Sequence, residues 1–245
     1  ESMLVDGNLV FVTPGGPDAS VVALDKMTGK TVWTSKGLSD ASAYCSPAIY
    51  TLGGKRELVQ WLAETLVGID PKSGEVLWQH HQKVPWNIHA NTPVGVGNTL
   101  FYSAESGGGA IEIADGKTVK QVYTFADPQV LHHGTVLRDG FVYCGAFQKP
   151  PKLYCVDFAT GKEKWSTETI GEASVVYADG MLYCYESPKK GLVHLVKCSP
   201  EKCEETGVLQ IPKAADKHWA HPAIADGKLF IRFNGTLYAY DIAAK

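Results

Sequence analysis

Short runs of alternating apolar and polar residues recur along the whole chain, and each pair of runs is joined by a glycine turn. Alternation with a period of two is typical of half-buried β-strands, and Asp-Gly or Gly-Asn between two such runs favours a tight hairpin. The turn glycines of the six copies are Gly7, Gly53, Gly97, Gly140, Gly180 and Gly227. No long window carries the periodicity of a helix, so the pattern predicts an all-β protein.

A second motif, D-x-x-[ST]-G-x-x-x-W, follows three of these hairpins. Aspartate bonds to backbone amides two or three residues on, which favours a turn, and glycine adopts positive φ without steric cost. The tryptophan supplies a large apolar surface, which we expect to pack between neighbouring units rather than to hold a cofactor. The copies are Asp25, Gly29 and Trp33; Asp70, Gly74 and Trp78; and Asp157, Gly161 and Trp165.

The aspartates of this motif recur at about 43 residues or about twice that interval, which is the length of a four-stranded repeat unit. Four short strands per unit predict the blades of a β-propeller. We therefore expect a single propeller domain over residues 1–245 with six repeat units. The sixth unit ends after its third strand, while the first begins with a first strand, so we also expect further blades upstream of residue 1.

The lengths of the connections predict that the two ends of the repeat units differ. Within a unit, the turns between strands one and two and between strands three and four are tight, and we call their side the turn end. The remaining connections are longer, for example Thr13–Ser20, Ser103–Gly109 and Thr34–Cys45, and we call their side the connection end. Long loops more often carry function, so we expect a ligand or partner at the connection end, around the central channel.

Seven of the eight histidines lie in or beside the connections that lead into first strands. Imidazoles there could transfer protons, bind a metal or line a solvated channel. The predicted ligand-binding residues are Tyr44, Trp86, His89, Asn91, His132, His133, Glu172, His218, Trp219 and His221. No histidine or cysteine spacing matches a known metal motif, so the sequence predicts no metal site, and it identifies no catalytic residue.

The composition narrows the function classes further. A net charge of −3 gives no general attraction to nucleic acid, and no apolar run approaches the ~20 residues of a membrane span. The six cysteines do not define the redox compartment, because Cys144 with Cys155 and Cys198 with Cys203 could form disulfides or remain thiols.

The Asp-to-Trp motif, combined with [AV]-x-G-x-[LV]-[FY] hairpins, resembles the quinoprotein-type (PQQ-like) propeller repeat. That repeat is shared by pyrroloquinoline-quinone (PQQ) alcohol dehydrogenases and by BamB-like proteins. The stretches VTPGGPDASVVALDKMTGKTVW and HWAHPAIADGKLFIR resemble bacterial PQQ-like, polyvinyl-alcohol-dehydrogenase-like propellers. The resemblance implies a propeller of eight blades and a bacterial protein that is periplasmic or secreted.

Two functions remain open. A PQQ site needs cationic partners, Ca²⁺ ligands such as Glu172 and Asn91, and, in the dehydrogenases, a disulfide of adjacent cysteines. This chain has no Cys-Cys pair and only three arginines. The sequence therefore predicts a non-catalytic binding or scaffold module without a cofactor, which binds a small molecule, a glycan or a protein. The alternative is a PQQ- and Ca²⁺-dependent alcohol dehydrogenase in which Glu172 or a histidine acts as base.

Overall fold

The computed structural model describes residues 1–187, 191–212 and 218–243. Within these ranges every regular element is a β-strand, as the hydrophobic alternation predicts. No described helix is long and apolar enough to cross a membrane. The chain divides into two compact units, Glu1–Asp127 and Pro128–Lys245, each of which contains three sheets.

The first unit consists of three four-stranded antiparallel sheets in which each strand pairs with the next along the chain. This order is the meander that the repeat predicts for a propeller blade. The strands are β1 Leu4–Asp6, β2 Leu9–Val12, β3 Val22–Asp25, β4 Thr31–Thr34, β5 Ala48–Leu52, β6 Lys55–Trp61, β7 Thr65–Ile69, β8 Val76–His81, β9 Val94–Val96, β10 Thr99–Ala104, β11 Gly107–Ile113 and β12 Val119–Phe125.

The second unit repeats this arrangement with two four-stranded sheets and one sheet of three strands. The first strands of its neighbouring sheets lie beside one another. The strands are β13 Thr135–Arg138, β14 Phe141–Ala146, β15 Lys152–Asp157, β16 Glu163–Thr167, β17 Ala173–Ala178, β18 Met181–Glu186, β19 Leu192–Lys197, β20 Glu205–Gln210, β21 Ala223–Ala225, β22 Lys228–Phe233 and β23 Thr236–Asp241.

The six hairpin turns lie where the glycine pattern predicts them. In the turn between β13 and β14, Asp139 and Gly140 have φ of 49° and 83°. Positive φ at both central residues matches the right-handed twist of the flanking strands. The turn between β17 and β18 has the same form, with Asp179 at 49° and Gly180 at 78°.

The Asp-to-Gly turns between third and fourth strands are closed by their own side chains. Asp25 Oδ1 accepts hydrogen bonds from the amide and the hydroxyl of Thr28, both at 2.8 Å. Gly29, at φ 68°, donates its N–H to the carbonyl of Asp25. The strand pairing shifts by one residue just above the turn, between Ala23 and Leu24, and this β-bulge sharpens the local twist.

The tryptophans of this motif lie on the fourth strands and are almost fully buried. Trp33 packs with Phe11 of its own sheet and with Leu58 and Ile69 of the next sheet. Trp165 occupies the equivalent place in the second unit, in the cluster that contains Leu182. Each indole therefore contributes to a core shared by two neighbouring sheets.

One connection differs from the expectation. The segment Ser103–Gly109 is not a long loop, because β10 continues to Ala104 and β11 begins at Gly107. Glycine is rare inside strands, but here the absence of side chains permits close backbone approach. A Cβ on Gly108 would lie 2.1 Å from the carbonyl oxygen of Tyr102, and one on Gly109 would lie 2.3 Å from that of Tyr123.

The six cysteines are all free thiols. Cys144 and Cys155 lie on paired strands, but Cys155 is opposite Tyr143 and Cys144 is opposite Tyr154. Neighbouring positions along a strand point to opposite faces, so these two side chains do not face each other. Burial raises the pKa of Cys155 to about 12.

Candidate functional site

Three of the predicted site residues meet in the second unit. His132 and His133 come just before β13, and Glu172 comes just before β17. Glu172 Oε1 lies 3.3 Å from His133 Nε2 and 3.7 Å from His132 Nε2. One ligand atom from each residue lies within 4.8 Å of the others. We call these three residues the His-His-Glu cluster.

The cluster is largely sheltered from water. The side chain of His133 is fully buried, and those of His132 and Glu172 are 19% and 15% exposed. Burial, together with the neighbouring His132 and His221, lowers the pKa of His133 well below its usual value, so its ring is neutral at pH 7. Burial also raises the pKa of the Glu172 carboxyl.

His133 has an unusual hydrogen-bonding state. Neither ring nitrogen has a hydrogen-bond partner among the described residues, although both are buried. A buried polar group without a partner costs on the order of 1–3 kcal/mol. Buried histidines in native proteins are normally bonded, so this ring is suited to receive a further group.

The loop that carries the two histidines is held from the side by the segment before β21. His221 Nε2 donates to the carbonyl of His132 at 2.9 Å, and the Trp219 ring packs edge-on against the His132 ring at 4.8 Å. Gly134, at φ 63°, lies beneath the His221 ring, where a Cβ would be 3.0 Å from Cε1. These contacts bring five predicted residues into one neighbourhood.

The sixth predicted residue of this unit, His218, has a different environment. Its Nδ1 bonds to the hydroxyl of Tyr185, and its ring stacks on Phe233 at 4.3 Å with an interplanar angle of 10°. The side chain is almost fully buried. His218 therefore contributes to the packing between β18 and β22.

The remaining predicted residues lie in the first unit. His89 is buried, stacks on Trp61 at 4.1 Å and bonds through Nε2 to the carbonyl of Ala63 at 3.0 Å. Burial lowers its pKa to about 4. Asn91 is also buried, and its carbonyl accepts from Cys45 Sγ at 3.5 Å.

The two aromatic residues of this group are exposed. Tyr44, at φ 71°, forms an isolated parallel bridge with His89, and 64% of its surface is exposed. Trp86 is 66% exposed, and its backbone N–H donates to Glu105 Oε1 at 2.8 Å. The loop backbone is thus fixed while both rings face solvent.

A further polar cluster, centred on the buried His194, was not predicted from the sequence. His194 on β19 lies between two carboxylates, with Nε2 3.1 Å from Glu186 Oε2 and Nδ1 3.0 Å from Glu205 Oε2. Burial lowers the pKa of His194, but the bonds to Glu186 and Glu205 together outweigh burial and raise it. Its one sequence signal is its place inside a strand, apart from the other histidines.

The donor set does not fit PQQ, a trianionic quinone that needs cationic partners. Arg56 is bonded to Asp6 at 2.6 Å, and Arg138 is bonded to Asp139 and lies over the Tyr177 ring. These two arginines lie at tight turns, away from the predicted residues, and the third, Arg232, lies on β22. The six thiols include no adjacent pair that could cover the ring of the cofactor.

Meander sheets of four antiparallel strands, with a tryptophan of one sheet packed on the next, define a β-propeller of the quinoprotein-like class. The family described as outer membrane protein assembly factor BamB matches residues 1–167 and 109–244. The chain therefore belongs to the BamB family, and the predicted family and fold class are confirmed. A search of curated proteins found no match.

Solved structures share the fold. BamB from Moraxella catarrhalis is 12% identical, with a TM-score of 0.73 over 97% of this chain and 70% of that chain. The computationally designed Ika8 protein is 14% identical, with a TM-score of 0.71 over 98% of this chain and 70% of that chain. The WD40 propeller domain of Doa1 is 14% identical, with a TM-score of 0.60 over 97% of this chain and 76% of that chain.

Proposed function

We propose that this chain is a non-catalytic binding module of the periplasm or the cell exterior, which holds a protein partner at its connection end. The proposal is carried by the exposure of two large aromatic side chains on the connections of the first compact unit. Tyr44 and Trp86 are 64% and 66% exposed. Tryptophan and tyrosine are enriched at protein interfaces and often supply most of the binding energy.

The aromatic rings of the first unit are presented by a fixed backbone. The Tyr44 segment is bridged to His89, whose N–H also donates to the carbonyl of Ala43 at 3.1 Å. Glu105 holds the backbone at Trp86. Because these loops need little ordering on association, the entropic cost of binding is low.

A protein partner fits these surfaces better than a small molecule. Small ligands are usually bound in concave pockets that bury most of their surface. The cleft beside Tyr44 is open and is lined by Glu1, Thr13 and Ser42. The membership in a family named for outer membrane protein assembly also favours a protein partner and a periplasmic location.

Site-specific photo-crosslinking in bacterial cells tests this proposal. A photoreactive phenylalanine analogue at Trp86 or Tyr44 should give a discrete protein adduct that mass spectrometry identifies. The matched control position is Met27, which is 81% exposed in the turn between β3 and β4. Equal adducts at all three positions, or no adduct at any of them, would contradict a connection-end interface, and binding in a glycan array would assign the surface to a sugar instead.

We also propose that residues 1–245 form a single PQQ-like propeller domain. Both stretches matched by the family cross the boundary between the two compact units. A single domain is expected to unfold in one calorimetric transition, with a van't Hoff enthalpy equal to the calorimetric enthalpy. Two resolved transitions would contradict this.

A further inference from the structure

We propose that His132, His133 and Glu172 form a binding site for a divalent first-row transition-metal ion, with one coordination position left open for an exogenous ligand. This site is independent of the aromatic interface proposed above. Its ligands come from two connections about 40 residues apart, so no local sequence motif reveals it.

The spacing of the donor atoms fits such an ion. Zinc binds histidine nitrogen and carboxylate oxygen at about 2.0–2.2 Å, so neighbouring ligand atoms in a tetrahedral site are about 3.3 Å apart. The two distances from Glu172 Oε1, 3.3 Å to His133 and 3.7 Å to His132, approach this separation. The ligand atoms all lie within 4.8 Å, so small rotations of the side chains complete the geometry.

The buried ring of His133 is the second observation. It is fully buried, and neither nitrogen has a hydrogen-bond partner among the described residues, while Nε2 faces the Glu172 carboxylate. A bound cation would use the Nε2 lone pair and would also compensate the charge of the sheltered carboxylate. Without a cation the His133 ring stays buried without a hydrogen bond, which lowers the stability of the fold.

The surroundings fix the ligands in place. The hydrogen bond from His221 to the carbonyl of His132 and the edge contact of Trp219 hold the histidine loop. On the other side, the carbonyl of Glu172 accepts from the N–H of Ser187 at 2.7 Å. Contacts that orient metal ligands commonly change affinity by about 10- to 100-fold.

The donor types select the class of metal. Two imidazoles and one carboxylate suit Zn²⁺, Co²⁺, Ni²⁺ or Fe²⁺, whereas Ca²⁺ and Mg²⁺ prefer sites made only of oxygen. Three protein ligands leave a four-coordinate ion one position short, which is the arrangement of zinc sites that bind water or substrate. The open position would accept a water or a donor group from a bound molecule.

Calorimetric titration of the chelator-treated protein with Zn²⁺ tests the proposal. The expected result is one ion per chain, together with an upward shift in the melting temperature, because the three ligands are brought together only in the folded state. Glu172→Gln and His132→Gln should each weaken binding about 100-fold or more. His81→Gln, which removes an exposed histidine of the first unit, is the matched control and should bind as the wild type does.

Substitution of the buried His133 is expected to disturb folding. A spectroscopic measurement on the wild-type protein therefore tests this ligand. Co²⁺ bound to the wild-type protein should give the intense visible bands of a low-coordinate site, and the NMR signals of the His132 and His133 rings should shift strongly. Mg²⁺ and Ca²⁺ should produce neither effect. Absence of Zn²⁺ binding, shifts confined to other histidines, or unchanged binding in Glu172→Gln would overturn the proposal.

Discussion

The indole N–H of Trp33 donates to the carbonyl oxygen of Pro71 at 3.0 Å and so joins one sheet to the Asp-to-Gly turn of the next. Its ring lies against Gly74 of that turn, where a Cβ would be only 2.6 Å from the ring. Trp165 makes the same type of bond to the carbonyl of Ser199 at 2.9 Å. At the Trp33 junction the motif thus supplies both sides, the indole from one sheet and the glycine turn from the next, whereas Trp165 bonds to a turn that lacks the glycine.

Replacing Trp33 with phenylalanine should lower the free energy of unfolding by about 2 kcal/mol, because the change removes a buried hydrogen bond and leaves a cavity. Urea denaturation measures the difference. The matched control, Trp86→Phe, alters an exposed ring and should change stability by less than about 0.5 kcal/mol. If both substitutions lower the free energy of unfolding equally, the contact of Trp33 with the next sheet adds nothing to stability.

Gly53 and Gly7 form a natural pair for separating steric contact from backbone strain. Both have nearly the same left-handed φ, 55° and 57°. A Cβ on Gly53 would lie 2.2 Å from the backbone nitrogen of Gly116, whereas nothing lies within 4 Å of one on Gly7. Both positions sit in the turn between a first and a second strand.

Gly7→Ala should therefore cost about 1 kcal/mol of unfolding free energy from strain alone, and Gly53→Ala should cost about 1–3 kcal/mol more because the neighbouring sheet must move. Thermal and urea unfolding of the two variants give the comparison. If the two substitutions are equally costly, the contact between the turns of these two sheets does not contribute to stability.

The parts of the fold that could be predicted from the sequence are those encoded locally. Asp139-Gly140 and its counterparts define hairpins, because positive φ and alternating apolar residues occur within a few positions. The prediction of a long connection over Ser103–Gly109 was wrong. A glycine run forms a strand only where neighbouring backbones approach closely, and no local pattern reveals such an approach.

The site illustrates the same limit. Aromatic and histidine residues on the connections were predicted as a group, but the sequence does not distinguish the exposed Trp86 from the buried His218. The meeting of His133 with Glu172 depends on a contact between distant segments, and the position of His194 between Glu186 and Glu205 depends on the register of three neighbouring strands of one sheet. Both follow from the arrangement of the sheets, and residue spacing alone does not define them.

The cysteines should react slowly with thiol reagents in the native protein. Cys45 and Cys144 are fully buried, and burial raises the pKa of Cys45 to about 12. The half-buried Cys198 and Cys203 also have raised pKa values, because burial disfavours their thiolates. The thiolate is the reactive form, so few thiols are available near neutral pH.

Titration with Ellman's reagent should thus detect all six thiols in denaturant but no more than two in the native state. Alkylation with mass spectrometry then identifies the sites, and any slow native labelling should fall on Cys198 and Cys203. Rapid labelling of Cys45, or fewer than six thiols in denaturant, would contradict the structure.

His194 should make stability depend on pH. Burial opposes its charge, but the hydrogen bonds to Glu186 and Glu205 outweigh burial and raise its pKa in the folded state. The charged imidazole is therefore favoured by folding. Its stabilising contribution is complete below the unfolded pKa of about 6.5 and is lost as the pH rises through the raised folded value.

Urea denaturation of the wild type and of His194→Gln at about pH 5.5 and about pH 8.5 measures this contribution. The excess stability of the wild type should be greater at the lower pH, because folding favours the charged imidazole. An excess that grows with rising pH would mean that folding disfavours the charged imidazole, so that the pKa of His194 is lowered in the folded protein.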